Sequence, residues 1–117
     1  MPHTSLLLKW FIRISKMLRL IKVTGNSLWP EYREGDFVLI VKIPFSFVRY
    51  KVGDVVVFRH PLYGTLIKKV EHIHPQDGAL FVVGHHPDSV DSRQFGTVLP
   101  QAILGKVIWH VRRPLGE

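Results

Sequence analysis

The sequence predicts a mainly β protein: a small, bent, partly closed barrel of strands behind an amphipathic N-terminal helix. Three observations predict it. Short runs rich in Val, Ile and Phe recur between Gly, Pro and Asp, as in DFVLIVK, DVVVFRH and ILGKVIWHV. The first 21 residues have a different character, basic and with an apolar period near 3.6. The chain is 117 residues long and has no cysteine, so one core must hold it without disulfides. Zinc–thiolate sites and thiol catalysis are excluded on the same ground.

The chain divides into an arm, residues 1–21, and a β body, residues 22–117. The formal charge of +7 belongs mostly to the arm. Before Glu31 stand Lys9, Arg13, Lys16, Arg19 and Lys22 with no acid; the remainder has eleven basic residues against nine acidic. On an ideal helix over residues 5–21, Leu7, Trp10, Phe11, Ile14, Met17, Leu18 and Ile21 share an arc of roughly 120°. Lys9, Arg13, Lys16 and Arg19 fall opposite, and Thr4 or Ser5 can cap the start. Basic residues recur too often for an ordinary membrane span or a cleaved signal peptide. Trp and Phe facing away from a Lys/Arg stripe fit a helix lying in a membrane interface. The alternatives are packing on its own domain or a partner and, third, nucleic-acid binding, for which no docking motif is visible.

In the body, residues 36–42 and 54–60 read as strands entered through Gly-Asp turns, with a loop or irregular crossing at 43–50 around Pro44. Residues 64–74 and 79–83 flank PQDG, a hairpin turn. Residues 84–97 read as a polar loop, 103–111 as the last strand, and 112–117 as a frayed end.

Three segments carry possible chemistry: Gly25-Asn26-Ser27-Leu28-Trp29-Pro30; GDVVVFRHPLYGTLIKKV with Lys68 and Lys69; and VVGHHPDSVDSRQFGTVLP with Ser89, Asp91 and Arg93. A serine hydroxyl is a poor nucleophile until a base takes its proton. A lysine can be that base if it is neutral. Bringing its pKa from about 10.4 to the neutral range costs on the order of 3–4 kcal/mol, which burial among apolar side chains can impose. Alternation places Lys68 on a strand face with Leu66 and Val70, and Lys69 with Thr65, Ile67 and Glu71.

In this order and spacing the segments resemble the type I signal peptidase family of serine endopeptidases. The likeness runs from about residue 23 to 107. It implies Ser27 as nucleophile, Lys68 as general base and Ser89 as the hydroxyl that orients the lysine. Asp91 and Arg93 would be a structural pair in the loop. Gly25 stands where relatives often carry a hydroxyl for the oxyanion hole, so that hole would rest on backbone N–H groups, chiefly that of Ser27. The body is short, without the extra β-domain of the larger bacterial enzymes. In this it is similar to nickel-type superoxide dismutase maturation proteases and mitochondrial inner-membrane peptidases. Leu28 replaces the family's usual methionine, GHHPDSVDSR lacks its Asp-Asn, and the amphipathic arm replaces its transmembrane helix.

The expected activity is therefore removal of an N-terminal signal or pro-segment from a precursor protein. The expected location is a membrane, the bacterial cytoplasmic membrane, reached through residues 5–21, with no cofactor and no nucleic-acid partner. Two other readings stand beside it. Self-cleaving repressors share the serine and lysine boxes, but lack the D-S-R loop and carry an upstream domain for which about 20 residues are too few. A non-catalytic membrane-surface or partner-binding β module would keep the boxes without reactivity. His72, His74, His85 and His86 raise a metal site, but no acidic third ligand stands at a characteristic spacing, so solvated or hydrogen-bonded histidines are expected.

Overall fold

The run Val55-Val56-Val57-Phe58 is apolar at every position, as a strand covered on both faces must be. In the computed structural model, which describes residues 2–42 and 50–114, all four side chains are buried. Val55 and Val57 pack with Val23, Leu28, Tyr32, Val38 and Ile40. Val56 and Phe58 pack on the other face with Val70, Leu80, Val82, Val98 and Ile103.

The elements are α1 (Pro2–Lys16), β1 (Leu18–Lys22), β2 (Phe37–Val41), β3 (Val55–His60), β4 (Gly64–Ile73), β5 (Leu80–Val83), α2 (Ser92–Phe95) and β6 (Ile103–Val111). A single 3-10 turn, Pro100–Ala102, leads into β6. The strands form one antiparallel sheet in the order β1-β2-β6-β3-β4-β5. Register shifts interrupt β2–β6 between Leu39 and Ile40, β3–β6 between Val57 and Phe58, and β4–β5 between Val70 and His72. Such bulges increase local twist and bend the strands. Gly105 lets β6 pass under Ile40, whose Cδ1 would lie 2.9 Å from a Cβ there.

Three expectations need correction. The sheet is not closed into a barrel: β1 and β5 are its two edges, and no strand ladder joins them among the described residues. The helix stops at Lys16 instead of continuing to residue 21. Leu18–Lys22 pairs with β2 over five residues, from Leu18 opposite Val41 to Lys22 opposite Phe37. The spacing of Leu18 and Leu20 suits a strand as well as a helix, and the available edge of β2 decides between them. Third, the polar loop after β5 contains α2, started by Asp91 in a reciprocal capping box with Gln94. The crossing expected at 43–50 lies outside the described residues except for Tyr50, and the frayed end lies partly outside them.

Residues 5–16 of α1 are exposed, apolar and basic sides alike. No helix among the described residues is long and apolar enough to cross a membrane. On the outer face of the sheet Leu20, Leu39 and Trp109 stand directly opposite one another across β1, β2 and β6, and Leu20 and Trp109 are exposed.

Candidate active site

Pairing between β4 and β5 starts at Lys69, opposite Val83, so among the described residues the first half of β4 has β3 on one edge and no strand on the other. The turn that follows β1 fills the start of that open edge. Gly25 adopts φ +78°, with open space where a Cβ would stand; its backbone conformation, not crowding, calls for glycine. The turn then delivers Ser27, whose Oγ donates to the Ile67 carbonyl at 2.9 Å. On the other side, the Ser27 carbonyl accepts from the backbone N–H of His85 at 2.6 Å and of His86 at 3.2 Å. Ser27 thus bridges β4 and the segment beyond β5. Its own N–H makes no hydrogen bond among the described residues.

Lys68 is 1% exposed. It faces Val56 across the β3–β4 ladder and shares that face with Val70. Burial pushes its amine below the ordinary lysine value; the Asp91 carboxylate opposes this, and the Arg93 charge adds to it. Among the described residues its ammonium makes no hydrogen bond and no ion pair. Lys69, on the alternate face, holds Glu31 at 2.9 Å. Ser27 and Lys68 line one cavity of about 410 Å³, together with Gly25, Ser89, Thr24 and His86.

Ser89 borders the cavity, but its Oγ donates to the His86 carbonyl at 2.8 Å. Its oxygen lone pairs stay available to accept. Asp91 is fully buried and accepts from the Gly84 N–H at 2.9 Å, from the Arg93 backbone N–H at 3.0 Å, and from Nε and Nη2 of the Arg93 guanidinium at 2.9 and 2.6 Å. Burial alone would raise its pKa; the hydrogen bonds from Arg93 and Gly84 outweigh it and hold the carboxyl at about 2. Asp91 and Arg93 therefore form one charged pair that anchors Gly84 and caps α2, next in sequence to Ser89 and Val90 of the cavity but outside its lining.

The histidines do not converge. His72 lies 3.1 Å from Glu71, His74 3.3 Å from Asp77, His85 3.9 Å from Glu31 and His86 4.0 Å from Asp88. No group of three metal-ligating side chains occurs among the described residues.

Gly84, Thr24 and the His85 and His86 N–H groups join the site without belonging to the residues that the sequence motifs single out. For Gly84 a signal was present: a glycine directly after an apolar strand, as in LFVVG, marks close backbone approach. Here a Cβ on Gly84 would meet both Ser27 and Ser89.

No curated protein matches the chain. A family model does, described as Peptidase S24-like, over residues 3–108. The match supports a Ser/Lys peptidase-like fold and a serine peptidase in general; it does not extend to the type I signal peptidases in particular. Since it takes in both strand edges, the serine turn, the buried lysine and the capped loop, the chain belongs to the Peptidase S24-like family.

Proposed function

We propose that the protein is a Ser/Lys endopeptidase that removes N-terminal signal or pro-segments from precursor proteins. One observation carries this reading: a buried lysine amine with no hydrogen-bonded partner among the described residues opens into the same cavity as a serine hydroxyl. Rotation of the Ser27 side chain away from the Ile67 carbonyl turns Oγ toward the lysine. Lys68 Nζ, in its neutral form, then takes the Oγ proton as Oγ bonds the scissile carbonyl carbon. The carbonyl π electrons move to oxygen, where the Ser27 N–H stabilises the oxyanion. As the tetrahedral intermediate collapses, the C–N bond breaks and the ammonium returns its proton to the leaving amine. A water deprotonated by the same amine then releases the acyl group. Ser89 accepts from the lysine and orients it.

An extended substrate suits the unpaired edges of β1 and β4, where it adds as a strand. Ile67 turns its carbonyl toward the open edge, so by strand alternation Thr65 presents its backbone groups there too. The arm supports a membrane location: exposed Leu7, Trp10 and Phe11 lie on one side of α1, and exposed Leu20 and Trp109 add apolar surface on the sheet.

Mass spectrometry of candidate precursors incubated with wild-type and Ser27→Ala protein in lipid or detergent tests the proposal. New precursor N-termini are expected with the wild type alone. Self-cleavage, the alternative within the same family, would instead give a new N-terminus on this chain. Equal processing by both proteins overturns the dyad.

A further inference from the structure

Beside the Ser27 cavity lies a second one of about 300 Å³. The two share Thr24, Thr65, Leu66 and Ile67, so they form one continuous groove. The floor of the second part is apolar, made by Val38, Val57 and Leu104. Among the described residues its charged lining consists of Arg19 and Lys22 from β1 and Arg59 from β3, with no acidic residue. All three cations are exposed, and none has a carboxylate partner among the described residues. That sets them apart from Lys69, Arg93 and Lys106, which hold Glu31, Asp91 and Asp54. In the Ser27 cavity the one acidic lining residue among those described is Asp88.

We infer that this part of the groove is a subsite for an acidic stretch of an extended, otherwise apolar peptide chain, lying on the β1 side of the bond to be cut. The inference rests on the reading of Ser27 as the point of cleavage. By strand alternation Arg19 and Arg59 lie on the face of the apolar floor, and Lys22 lies on the face of Leu20. The like charges of the two arginines repel one another, and an aspartate or glutamate entering between them relieves that repulsion while its neighbours cover the half-buried Ile67 and Leu104. The arm of this chain is a poor occupant, because it carries Lys9, Arg13 and Lys16 and no acid. The preferred partner is thus another polypeptide with carboxylates within a few residues of its cleavage site.

Fluorescence anisotropy on the full chain carrying Ser27→Ala tests this without turnover. The probes are labelled 12-residue apolar peptides with Asp, Asn or Lys placed at each position in turn. Solvent-exposed ion pairs are individually weak and salt-sensitive. Asp at the favoured positions is therefore expected to bind roughly 5- to 10-fold tighter than Asn at low salt, with Lys weakest. The advantage should shrink at high salt, and fall roughly threefold with Arg59→Gln and further with Arg19→Gln added. Thermal unfolding of the variants should match the parent, since these side chains are exposed. Equal binding of Asp and Asn peptides, an Asp preference indifferent to Arg59→Gln, or no peptide binding at all would overturn the inference. Failure of the dyad would appear separately, as processing by the Ser27→Ala protein.

Discussion

Gly84 and Ser27 approach so closely that a Cβ on Gly84 would sit 2.7 Å from the Ser27 carbonyl oxygen and 2.5 Å from Ser89 Oγ. The carbonyl cannot retreat without lifting the serine turn from the His85 and His86 N–H groups. Gly84→Ala should therefore displace the proposed nucleophile more than it disturbs the cores. The expected outcome is a loss of at least about tenfold in kcat/KM for precursor cleavage, with a stability loss of about 1–3 kcal/mol, typical of overpacking. Steady-state kinetics and urea unfolding on the same samples check it. Full activity in this variant would mean that the turn has slack the geometry does not suggest.

Lys68 separates function from stability. Burial penalises its ammonium, so the native state binds its proton less readily than the unfolded chain does. Its folded pKa is lowered. Stability contributed by this group therefore rises with pH from the lowered value up to about 10.5, because the unfolded state carries the extra proton in that window. Lys68→Met keeps the volume and removes the penalty. It should unfold at higher urea than the wild type at pH 7, lose the alkaline rise, and cut cleavage by about a thousandfold or more. Wild-type activity should climb with pH as the amine is freed of its proton. Lys68→Arg should be inactive, since guanidinium does not deprotonate. A rate that falls across the neutral-to-alkaline range would speak against a lysine base.

Much of this architecture is legible in the sequence, and the rest is hidden for identifiable reasons. Strands β2, β3, β4, β5 and β6 announce themselves through dense Val, Ile and Phe between turn residues, and the alternation around Lys68 and Lys69 separates a buried amine from one that holds Glu31. β1 is concealed because LRLIK fits two periods at once, and its Leu20 stays exposed, so no apolar contrast marks the strand. Closure into a barrel is not encoded in any strand's own pattern. Which edges meet depends on non-local pairing, and here the segment after β5 is reached by the Ser27 carbonyl and by Glu31 beside His85, with no strand ladder among the described residues. The Ser89 hydroxyl donates to the His86 carbonyl, a local backbone contact that no residue pattern encodes.

Two buried carboxylates should govern behaviour in acid. Asp36 accepts from the Arg113 and Arg33 N–H groups and lies 2.7 Å from His110 Nε2; against the upward push of burial, these contacts hold it at about 2. Asp91 is likewise at about 2. Both folded values lie below the ordinary carboxylate value of 3.8, so their stabilisation is complete above about pH 4 and is lost as pH falls toward 2. Each contributes on the order of 2 kcal/mol. Urea unfolding at intervals from pH 7 to pH 2 should show the loss in the lower half of that range. Asp36→Asn and Asp91→Asn should each be less stable at pH 7 and show a shallower acid limb. A wild-type midpoint unchanged between pH 5 and pH 2 would contradict this.

The arm is where the proposed membrane location is most exposed to test. Trp10 and Phe11 face solvent on α1, and the helix has little contact with the sheet beyond its junction at Met17 with Lys42. Replacing both aromatics with serine removes apolar surface that the fold does not use, so the urea midpoint of the body should not change. Binding to anionic vesicles should weaken about tenfold or more, as two large side chains no longer enter the interface. Lys9, Arg13 and Lys16 add attraction that falls with ionic strength, so raising salt should weaken wild-type binding, and neutral vesicles should bind less than anionic ones. Vesicle co-sedimentation at two salt concentrations reads all of these at once. If the double variant binds as the wild type does, the arm is not the membrane contact. If its body unfolds more easily, those aromatics pack against protein in solution, and the arm belongs to the fold.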